Sequence, residues 1–536
     1  MAPSPKVGLI DKVEDLFHVT KNASGKKEGA LKILIVSPEV TPYASVGGVS
    51  RVIAHLSQAL YNQGHDVRLF MPKFGFIDEK EVNSLTMVQE GLRVPTDNPE
   101  TPFFLCNVKK HQREGSPTVY FLENREYYEL RANVYGYKDD AIRWALLSRG
   151  AIEFIRANDT WVPDVIHAND WQLGCLPDYL HRNYREDPVV GSIPCVFTIH
   201  NLSYQGMFDH RNVTDHDYDD GKSLIVDLLN DRLLKLNFMR RGIMYADVVN
   251  TVSPTYSREI LKPEHGEGLD RLLTETRSKL SGVLNAIDYK EYNPSTDKLI
   301  SANFDSYTLN RRVQNKLALQ LEFDLEKNEE IPVFGFVGRL EGYQKGLDLV
   351  LEIIPTLLKE FNVQFVFIGG GDMGIATKIR ELSEKYPRKV GGHLMLDYDL
   401  PFLLFAGADV IMVPSRFEPS GLPQMEGMRY GAVPLVHKTG GLADSVEAYN
   451  PDTDQGFGFV FENYSSWSLF AQVIRAIETY RRKDVWRKLQ KRCMMQDNSW
   501  ENRTSQYVDL YEKSMQIHDR NQLKDSAGYR PVDLFM

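Results

Sequence analysis

Short apolar runs alternate with longer stretches of helical periodicity along most of this chain, and this alternation constrains the fold more than any other feature. A first series of apolar runs extends from residues 32–36 to residues 247–252, and a second extends from 331–337 to 433–436. Alternating strand and helix signals are the pattern of βαβ units, in which helices cover a parallel sheet. The sequence therefore predicts an α/β protein with two doubly wound, Rossmann-like domains facing each other across a cleft. Such folds bind ligands at the carboxyl ends of their strands.

The domain boundaries follow from the gap between the two series. Residues 289–306 are polar and contain the turn-forming dipeptide Asn293-Pro294, so they are predicted to be a linker. We predict a flexible leader over residues 1–30, a first Rossmann-like domain over 31–300, a second over 301–500, and a C-terminal helix and tail over 501–536.

Composition excludes several classes of protein. The 536 residues carry a formal net charge of -10, which argues against a nucleic-acid partner or a polybasic membrane surface. No apolar stretch reaches the roughly 18 residues of a membrane span, so no membrane partner is expected. The four cysteines are far apart and form no C-x-x-C pair, which is typical of a reduced compartment. We therefore expect a cytoplasmic or plastid protein without a disulfide framework or a zinc site.

The segment 414–426 is the most informative turn. It follows an apolar run, 408–413, that is predicted to be a buried parallel strand, and it precedes a helix. Glu418 and Glu426 are two carboxylates eight positions apart, and Gly421 between them allows the backbone to approach a ligand. A carboxylate beside free helix N–H groups suits the recognition of sugar hydroxyls. The alternative interpretation is a solvated loop with an acidic cap.

Three further turns follow the predicted strands of the first series. Gly47 and Gly48 form a turn whose N–H groups can approach phosphate or sugar oxygens. The turns around Asp170 and His200 carry polar side chains directly after buried strands, where they would line the cleft. An ordinary tight turn and structural histidines are the alternatives.

The loop 337–346 carries two cations, Arg339 and Lys345, after the first strand of the second series. Two fixed cations at such a position can bind a pyrophosphate and neutralise a phosphate leaving group. The alternative is a pair of solvated surface cations.

Residues 369–374 satisfy the pattern G-x-G-x-x-G after a strand, which raises the alternative of a nicotinamide-dependent dehydrogenase. A dinucleotide fingerprint usually follows the first strand of its domain, whereas this one follows the second. The position disfavours the dehydrogenase.

These turns, in this order, resemble the bacterial glycogen synthase and plant starch synthase family, which are retaining glucosyltransferases of the GT-B fold. The similarity runs from about Lys32 to Tyr511. The segments that carry it are 37–42, 198–208, 245–247, 251–256, 284–288, 415–422 and 438–444.

The resemblance implies a reaction. Family members transfer glucose from a nucleoside-diphosphate glucose to the 4-hydroxyl at the non-reducing end of an α-1,4-glucan, with retention and without a metal or other cofactor. It implies that residues 31–300 are the starch synthase catalytic domain on the acceptor side and that 301–500 bind the donor. Of the two common donors, ADP-glucose is favoured.

The resemblance also implies roles for individual residues. Arg339 and Lys345 would hold the donor diphosphate as it leaves. Glu418 would accept hydrogen bonds from the glucose hydroxyls, and His200 and Asp170 would position the sugar near the reacting carbon. The further residues predicted to contact substrate are Ser45, Gly47, Gly48, Asn201, Tyr398, Gly421, Leu422, Glu426, Thr439 and Gly440.

Several positions depart from the family pattern. Ser45 stands where the family has a donor-binding lysine, Gln172 where it has a histidine, and Ser420 where it has a cysteine. The Arg339–Lys345 loop is one residue longer than usual. In residues 396–402 the family's His-Arg pair is missing, and Tyr398 matches the base-stacking tyrosine only if the loop is shortened.

These departures leave alternatives open. The favoured hypothesis is an active glycogen or starch synthase. A weakly or non-catalytic glucan-binding paralogue is the second hypothesis, since a hydroxyl at position 45 cannot replace a cation. Because Glu426 completes a spaced glutamate pair, another retaining GT-B transferase of the sucrose or trehalose type is the third.

Overall fold

The computed structural model describes residues 29–77, 85–158, 160–208 and 218–526. The predicted leader, except residues 29 and 30, and the predicted tail beyond residue 526 lie outside the described residues. The chain divides into two compact units. Unit 1 comprises the described parts of Met1–Val196, Gly206–Asp247 and Tyr511–Met536, and unit 2 comprises Phe197–Gln205 and Val248–Leu510. The domain boundaries at residues 30, 300 and 500 stay predictions.

The strands of the described residues form two sheets. They are β1 Lys32–Val36, β2 Asp66–Pro72, β3 Thr86–Pro95, β4 Phe103–His111, β5 Thr118–Glu123, β6 Val165–Asn169, β7 Cys195–Ile199, β8 Val248–Thr251, β9 Leu280–Gly282, β10 Val333–Val337, β11 Gln364–Ile368, β12 Val390–His393, β13 Val410–Val413, β14 Val433–His437 and β15 Phe459–Phe461. The first sheet has the order β3-β4-β5-β2-β1-β6-β7-β8-β9, and the second has the order β12-β11-β10-β13-β14-β15.

Helices follow most of these strands. They are α1 Gly48–Asn62, α2 Asp140–Ala157, α3 Cys175–Arg182, α4 Phe238–Tyr245, α5 Pro254–Glu259, α6 Asp270–Glu275, α7 Arg312–Glu322, α8 Leu347–Glu360, α9 Met373–Lys385, α10 Leu400–Gly407, α11 Pro423–Arg429, α12 Gly440–Ser445, α13 Ser466–Tyr480, α14 Lys483–Met495 and α15 Thr504–Ser526. None of the helices in the described ranges combines the length and the apolar character that a bilayer crossing requires.

The predicted α/β, doubly wound architecture is confirmed. The apolar runs at 32–36 and 364–368 coincide with β1 and β11, because strands buried on both faces of a parallel sheet consist almost entirely of apolar residues. Both faces of the second sheet pack into one core, in which the paired residues Phe334 and Phe365 stack with centroids 5.4 Å apart.

The antiparallel edge β3–β4–β5 was not predicted from the sequence. Strand β4 pairs antiparallel with both β3 and β5, and the β3–β4 register shifts between Met87 and Leu92. Strand β3 is mostly exposed, so it shows neither a continuous apolar run nor a regular alternation.

Both sheets reverse their strand order beside the first strand of their series. In the second sheet β10 pairs parallel with β11 on one side and β13 on the other, and in the first sheet β1 pairs parallel with β2 and β6. Ligands of doubly wound sheets bind outside the carboxyl ends of the strands at such switch points. The turns after β1 and β6, and after β10 and β13, are therefore where a ligand is expected.

The switch point of the first sheet, at β1 and β6, is the first switch point, and that of the second sheet, at β10 and β13, is the second switch point. A buried carboxylate joins the amino ends of the two strands at the second switch point. Asp409, directly before β13, accepts hydrogen bonds from Lys316 Nζ at 2.7 Å and from the backbone N–H of Val333, the first residue of β10, at 2.9 Å. Lys316 and Asp409 are both buried, so the pair satisfies two charges that would be costly alone. The amino ends of β10 and β13 are thus tied together, and their carboxyl ends carry the turns of interest.

Candidate active site

Glu418 joins the two turns at the second switch point. Its side chain is buried, and its Oε2 atom accepts from Ser415 Oγ at 3.0 Å and from Lys345 Nζ at 2.7 Å. Lys345 comes from the loop after β10, whereas Ser415 and Glu418 follow β13. The structure therefore brings two of the predicted site residues, a carboxylate and a cation, into direct contact.

Arg339 lies on the same loop but is held by other partners. Its Nη1 donates to the Tyr204 hydroxyl at 2.9 Å, and its Nη2 donates to Gln344 Oε1 at 2.7 Å. The loop itself is shaped by Glu341, whose carboxylate accepts from the N–H groups of Tyr343 and Gln344 at 2.8 and 2.7 Å. Tyr204 follows β7 and belongs to the polar turn that the sequence singled out, although its contact with Arg339 was not predicted.

The segment Thr439-Gly440 opens α12 against the Glu418 turn. The N–H of Gly441 donates to the Glu418 carbonyl at 3.1 Å. Gly440 has a φ of +44°, and a Cβ at that position would lie 1.9 Å from the same carbonyl oxygen. Only glycine fits so close an approach, which explains the residue type at position 440.

In this segment, which was predicted to contact substrate, the side chain of Thr439 and the N–H of Gly440 hydrogen-bond a carboxylate that the sequence did not reveal. Both carboxylate oxygens of Glu259 lie 3.2 Å from Thr439 Oγ1, and they accept from the Gly440 N–H at 3.1 and 3.0 Å. Asp444 at the other end of α12 accepts from the N–H and the hydroxyl of Thr255, each at 2.7 Å. Helices α5 and α12 are thus joined by two carboxylates, one from each helix.

Gln424 holds the glycine turn between the two glutamates. Its Nε2 donates to the carbonyl oxygens of Ser420 and Gly421 at 3.2 and 2.9 Å and to Ser445 Oγ at 3.0 Å. Gly421 and Leu422 therefore occupy a fixed turn directly before α11. Glu426 lies in the first turn of α11 and is buried.

His200 lies in unit 2 at the carboxyl end of β7. Burial lowers its pKa to about 4, so the imidazole is uncharged at neutral pH. An uncharged ring can donate one hydrogen bond and accept one, which suits contact with a sugar hydroxyl. Asn201, the next residue, accepts from the Ser203 N–H at 3.1 Å and shapes the turn.

Tyr398 is available for stacking. Its side chain is 65% exposed, and its loop is shaped by Asp397, whose Oδ1 accepts from the N–H groups of Asp399 and Leu400. This arrangement presents an aromatic face directly before α10.

The G-x-G-x-x-G segment has a packing role. A Cβ at Gly369 would lie 1.8 Å from the Gly338 carbonyl oxygen, and one at Gly371 would lie 2.3 Å from that of Leu340. The glycines let the turn after β11 pack against the Arg339 loop, and Asp372 caps α9 through the Ile375 N–H at 2.9 Å. The motif therefore does not require a dinucleotide to explain it.

The first glycine turn belongs to unit 1 and is organised by Glu39. The Val46 N–H donates to Glu39 Oε2 at 2.5 Å, and the backbone of Gly47 and the side chain of Tyr135 also hydrogen-bond this carboxylate. Burial raises the pKa of Glu39 to about 7 despite these hydrogen bonds, which lower it. Of the N–H groups predicted to face a ligand, that of Gly47 is thus held by Glu39, which sequence reasoning did not single out.

Ser45, Val46, Gly47 and Gly48 are consecutive exposed positions of this turn. The hydroxyls of Ser45 and Ser50 are 2.8 Å apart, and a Cβ at Gly48 would meet no atom within 4 Å. A side chain at position 48 would therefore be unobstructed.

Asp170 is the predicted site residue with the most unusual backbone. It lies at the first switch point, directly after β6, with φ and ψ of 64° and 178°, and its side chain is buried. This region is sparsely populated by residues other than glycine, and such strain concentrates at functional sites. Gln172, which stands at a position of the family's histidine, is also buried.

No group of three or more His, Cys, Asp or Glu side chains in the described ranges could hold a metal ion. The groups placed at the second switch point are the cations Arg339 and Lys345, the carboxylate of Glu418 and the backbone N–H groups at the start of α11.

Comparison with known protein families matches two models to consecutive parts of the chain. The starch synthase catalytic domain matches residues 32–275, and the glycosyl transferases group 1 model matches residues 319–493.

Comparison with individual proteins gives the same result. A glycogen synthase of Thermotoga petrophila is 39% identical over 490 residues, which are 90% of this chain and 99% of that protein. A glycogen synthase of Clostridium perfringens is 38% identical over 486 residues, or 90% and 98% of the two chains. Among solved structures, the catalytic domain of starch synthase IV from Arabidopsis thaliana, bound to ADP and acarbose, superposes with a TM-score of 0.78 at 30% identity, covering 91% of this chain and 100% of that one. A sucrose-phosphate synthase from Thermosynechococcus elongatus shares the fold, with a TM-score of 0.55 at 17% identity.

Proposed function

This chain belongs to the glycogen and starch synthase family of glycosyltransferases, and from that premise we propose that it transfers glucose from ADP-glucose to the non-reducing 4-hydroxyl of an α-1,4-glucan with retention. The observation that carries the proposal is the contact between Lys345 and Glu418 at the second switch point. It brings together a cation suited to a leaving phosphate and a carboxylate suited to sugar hydroxyls, on turns where doubly wound domains bind ligands.

We assign binding of the donor to the turns of the second sheet. Lys345 and Arg339 neutralise the diphosphate as it departs, once Arg339 exchanges the Tyr204 hydroxyl for a phosphate oxygen. Glu418 accepts from the glucose hydroxyls while Ser415 holds its orientation. Tyr398 offers its exposed ring to the base. In support of ADP-glucose, the similar Arabidopsis starch synthase was solved with ADP bound.

The transfer itself exchanges one bond for another at the anomeric carbon. The bond from that carbon to the departing diphosphate oxygen breaks, and the acceptor 4-hydroxyl oxygen forms a new bond on the same face. The hydroxyl proton passes to the departing diphosphate, so no protein base is consumed. Charge stabilisation and positioning supply the acceleration in this scheme.

We assign the acceptor side to residues 31–300 and the donor side to 301–500. The glycine turn and Asp170 lie at the switch point of the first sheet, where they would position the sugar and the acceptor. All four cysteines are free and buried, and we place the protein in a reducing compartment, the cytoplasm or a plastid.

The test is glucose incorporation into glycogen with ADP-glucose and UDP-glucose in parallel, with a reaction that lacks the protein as the blank. We expect transfer from ADP-glucose to exceed transfer from UDP-glucose. Product linkage and anomeric configuration are read from the proton NMR spectrum of elongated maltotriose, in which a new α-1,4 linkage is expected.

Other outcomes favour the alternatives. Glycogen binding without nucleotide binding or transfer would support a non-catalytic glucan-binding paralogue. Transfer to fructose 6-phosphate or glucose 6-phosphate, with none to glycogen, would support a transferase of the sucrose or trehalose type.

A further inference from the structure

His437 is a buried histidine that the proposed mechanism does not use. It is the last residue of β14, two positions before Thr439, and its side chain is 8% exposed. Its ring lies 5.1 Å from that of Phe461 and 5.4 Å from that of Tyr464, measured between centroids. A polar ring packed between two aromatic residues needs hydrogen-bond partners to offset its burial.

Both ring nitrogens of His437 face backbone carbonyl oxygens. Nδ1 lies 2.8 Å from the Ser415 oxygen, and Nε2 lies 3.2 Å from the Glu462 oxygen. Ser415 follows β13 and Glu462 follows β15, and β14 lies between these strands in the sheet. The ring of His437 therefore spans the carboxyl ends of three adjacent strands.

A neutral imidazole carries one N–H and can donate to only one of the two carbonyls. Burial lowers the pKa of His437 below its ordinary value, although both carbonyl contacts and the carboxylate of Glu259 raise it. The ring is therefore mainly uncharged at neutral pH. The shorter contact favours the tautomer in which Nδ1 carries the proton and donates it to Ser415.

Ser415 connects this contact to the candidate active site. Its carbonyl faces His437, while its hydroxyl donates to Glu418 Oε2 at 3.0 Å, the same oxygen that Lys345 contacts. Ser415 is fully buried, so neither of its polar groups has water as a substitute partner.

We propose that His437 is a positioning residue for Glu418, in which the Nδ1–H group fixes the Ser415 carbonyl and thereby aims the Ser415 hydroxyl at the Glu418 carboxylate. The effect on turnover rests on the proposed function, whereas the tautomer and the hydrogen bond do not.

Two substitutions at position 437 separate this role from simple packing. His437→Asn keeps a donor where Nδ1–H lies, and His437→Gln moves the donor toward the place of Nε2. We expect His437→Asn to retain most of the turnover number and His437→Gln to lower it about tenfold, the effect of about one lost hydrogen bond. The KM for ADP-glucose should change little in either variant. Equal turnover numbers in the two variants, with equal losses of stability, would overturn the positioning role.

Ser415→Ala completes the test. If His437 acts through Ser415, Ser415→Ala lowers turnover to a similar extent, and the double variant Ser415→Ala/His437→Gln shows little additional loss. Fully multiplicative losses would show that the two residues act independently and would overturn the proposal.

The tautomer is measured without any substrate. A long-range proton–nitrogen NMR spectrum at neutral pH reports which ring nitrogen carries the proton, and the signals absent from His437→Asn protein identify the residue. A proton on Nδ1 supports the proposal, and a proton on Nε2 overturns it. A wild-type protein that has the Nδ1 proton but transfers no glucose would contradict the proposed function and leave the hydrogen bond established.

Discussion

At the scale of single residues, Lys345 and Glu418 hold each other's side chains in place and compensate each other's charge. Their side chains are 24% and 8% exposed, and the 2.7 Å contact gives the carboxylate a charged donor in a partly dry environment. A carboxylate held by Lys345 and Ser415 is oriented before a sugar arrives, so little reorganisation accompanies binding. Removing one partner leaves the other charge without compensation.

Glu418→Gln tests this arrangement with a side chain of nearly the same size. The amide nitrogen cannot accept a hydrogen bond, and the neutral group loses its attraction to Lys345. We expect the rate of glucose transfer to fall by about two orders of magnitude. Glu478→Gln, which removes a carboxylate from an exposed ion pair with Arg481, is the control and should transfer glucose normally. Near-normal transfer by Glu418→Gln would contradict the assigned role.

Ser45 is the exposed residue at which the family has a lysine, and Ser45→Lys restores the missing cation. Because Ser45 is exposed and a Cβ at the neighbouring Gly48 would meet no atom within 4 Å, a lysine side chain can extend from this turn without a clash. We expect ADP-glucose to bind about tenfold more tightly in calorimetry, as a charge-assisted hydrogen bond would produce. Ser45→Met, of similar length and without charge, should bind like the wild type. Unchanged affinity in Ser45→Lys would mean that position 45 does not face the phosphates.

At the scale of elements, the contact between α5 and α12 organises the turn that carries Glu418. Glu259 from α5 holds the start of α12, and Asp444 from α12 holds the start of α5. The carbonyl of Glu418 lies against Gly440, where no other residue fits. The Glu418 turn is thus fixed on one side by Lys345 and on the other by the backbone of α12.

Gly440→Ala tests this packing. A methyl group would overlap the Glu418 carbonyl, and the φ of +44° is unfavourable for alanine, so the free energy of unfolding should fall by about 2 kcal/mol or more. Gly342→Ala is the matched control, since its nearest neighbour would be 3.7 Å away. Urea denaturation followed by tryptophan fluorescence measures both. Equal denaturation midpoints would show that the backbone at Gly440 moves away without cost.

At the scale of the whole molecule, two buried ionisable groups couple stability to pH in opposite senses. The pKa of Glu39 is raised by burial from 4.5 to about 7, and that of His200 is lowered by burial from 6.5 to about 4. The stability contributed by Glu39 is complete below pH 4.5 and is lost as the pH rises to about 7. The stability contributed by His200 is complete above pH 6.5 and is lost as the pH falls to about 4.

The two effects therefore oppose each other between pH 4.5 and 6.5, and single variants separate them. Glu39→Gln protein no longer loses the stability that Glu39 contributes as the pH rises. The denaturant concentration at the unfolding midpoint should therefore rise more steeply with pH across this window than in the wild type. In His200→Gln protein the midpoint should instead decline with pH. Denaturation at half-unit pH intervals measures both slopes. Parallel curves for all three proteins would show that neither group has a shifted pKa.

Sequence patterns were sufficient to predict the two doubly wound sheets and the turns that carry the candidate site. Buried parallel strands such as β1 and β11 are marked by continuous apolar runs, because both faces of each strand are covered. Glu418 and Lys345 could be predicted as site residues from the sequence because a polar turn at the end of a strand is visible locally, whereas Gly440 was predicted only through the family resemblance.

Which groups meet at those turns could not be predicted from the sequence, because it depends on the three-dimensional packing of the strands. Glu259 binds Gly440 across 181 positions of the chain, His437 reaches back 22 positions to Ser415, and Lys345 reaches Glu418 across 73 positions. None of these pairings leaves a periodic or local pattern, because a hydrogen bond depends on where the strands place their ends and not on distance along the chain. The same holds for the raised pKa of Glu39 and the lowered pKa of His200, since burial, the largest cause of both shifts, exists only once the sheets are packed.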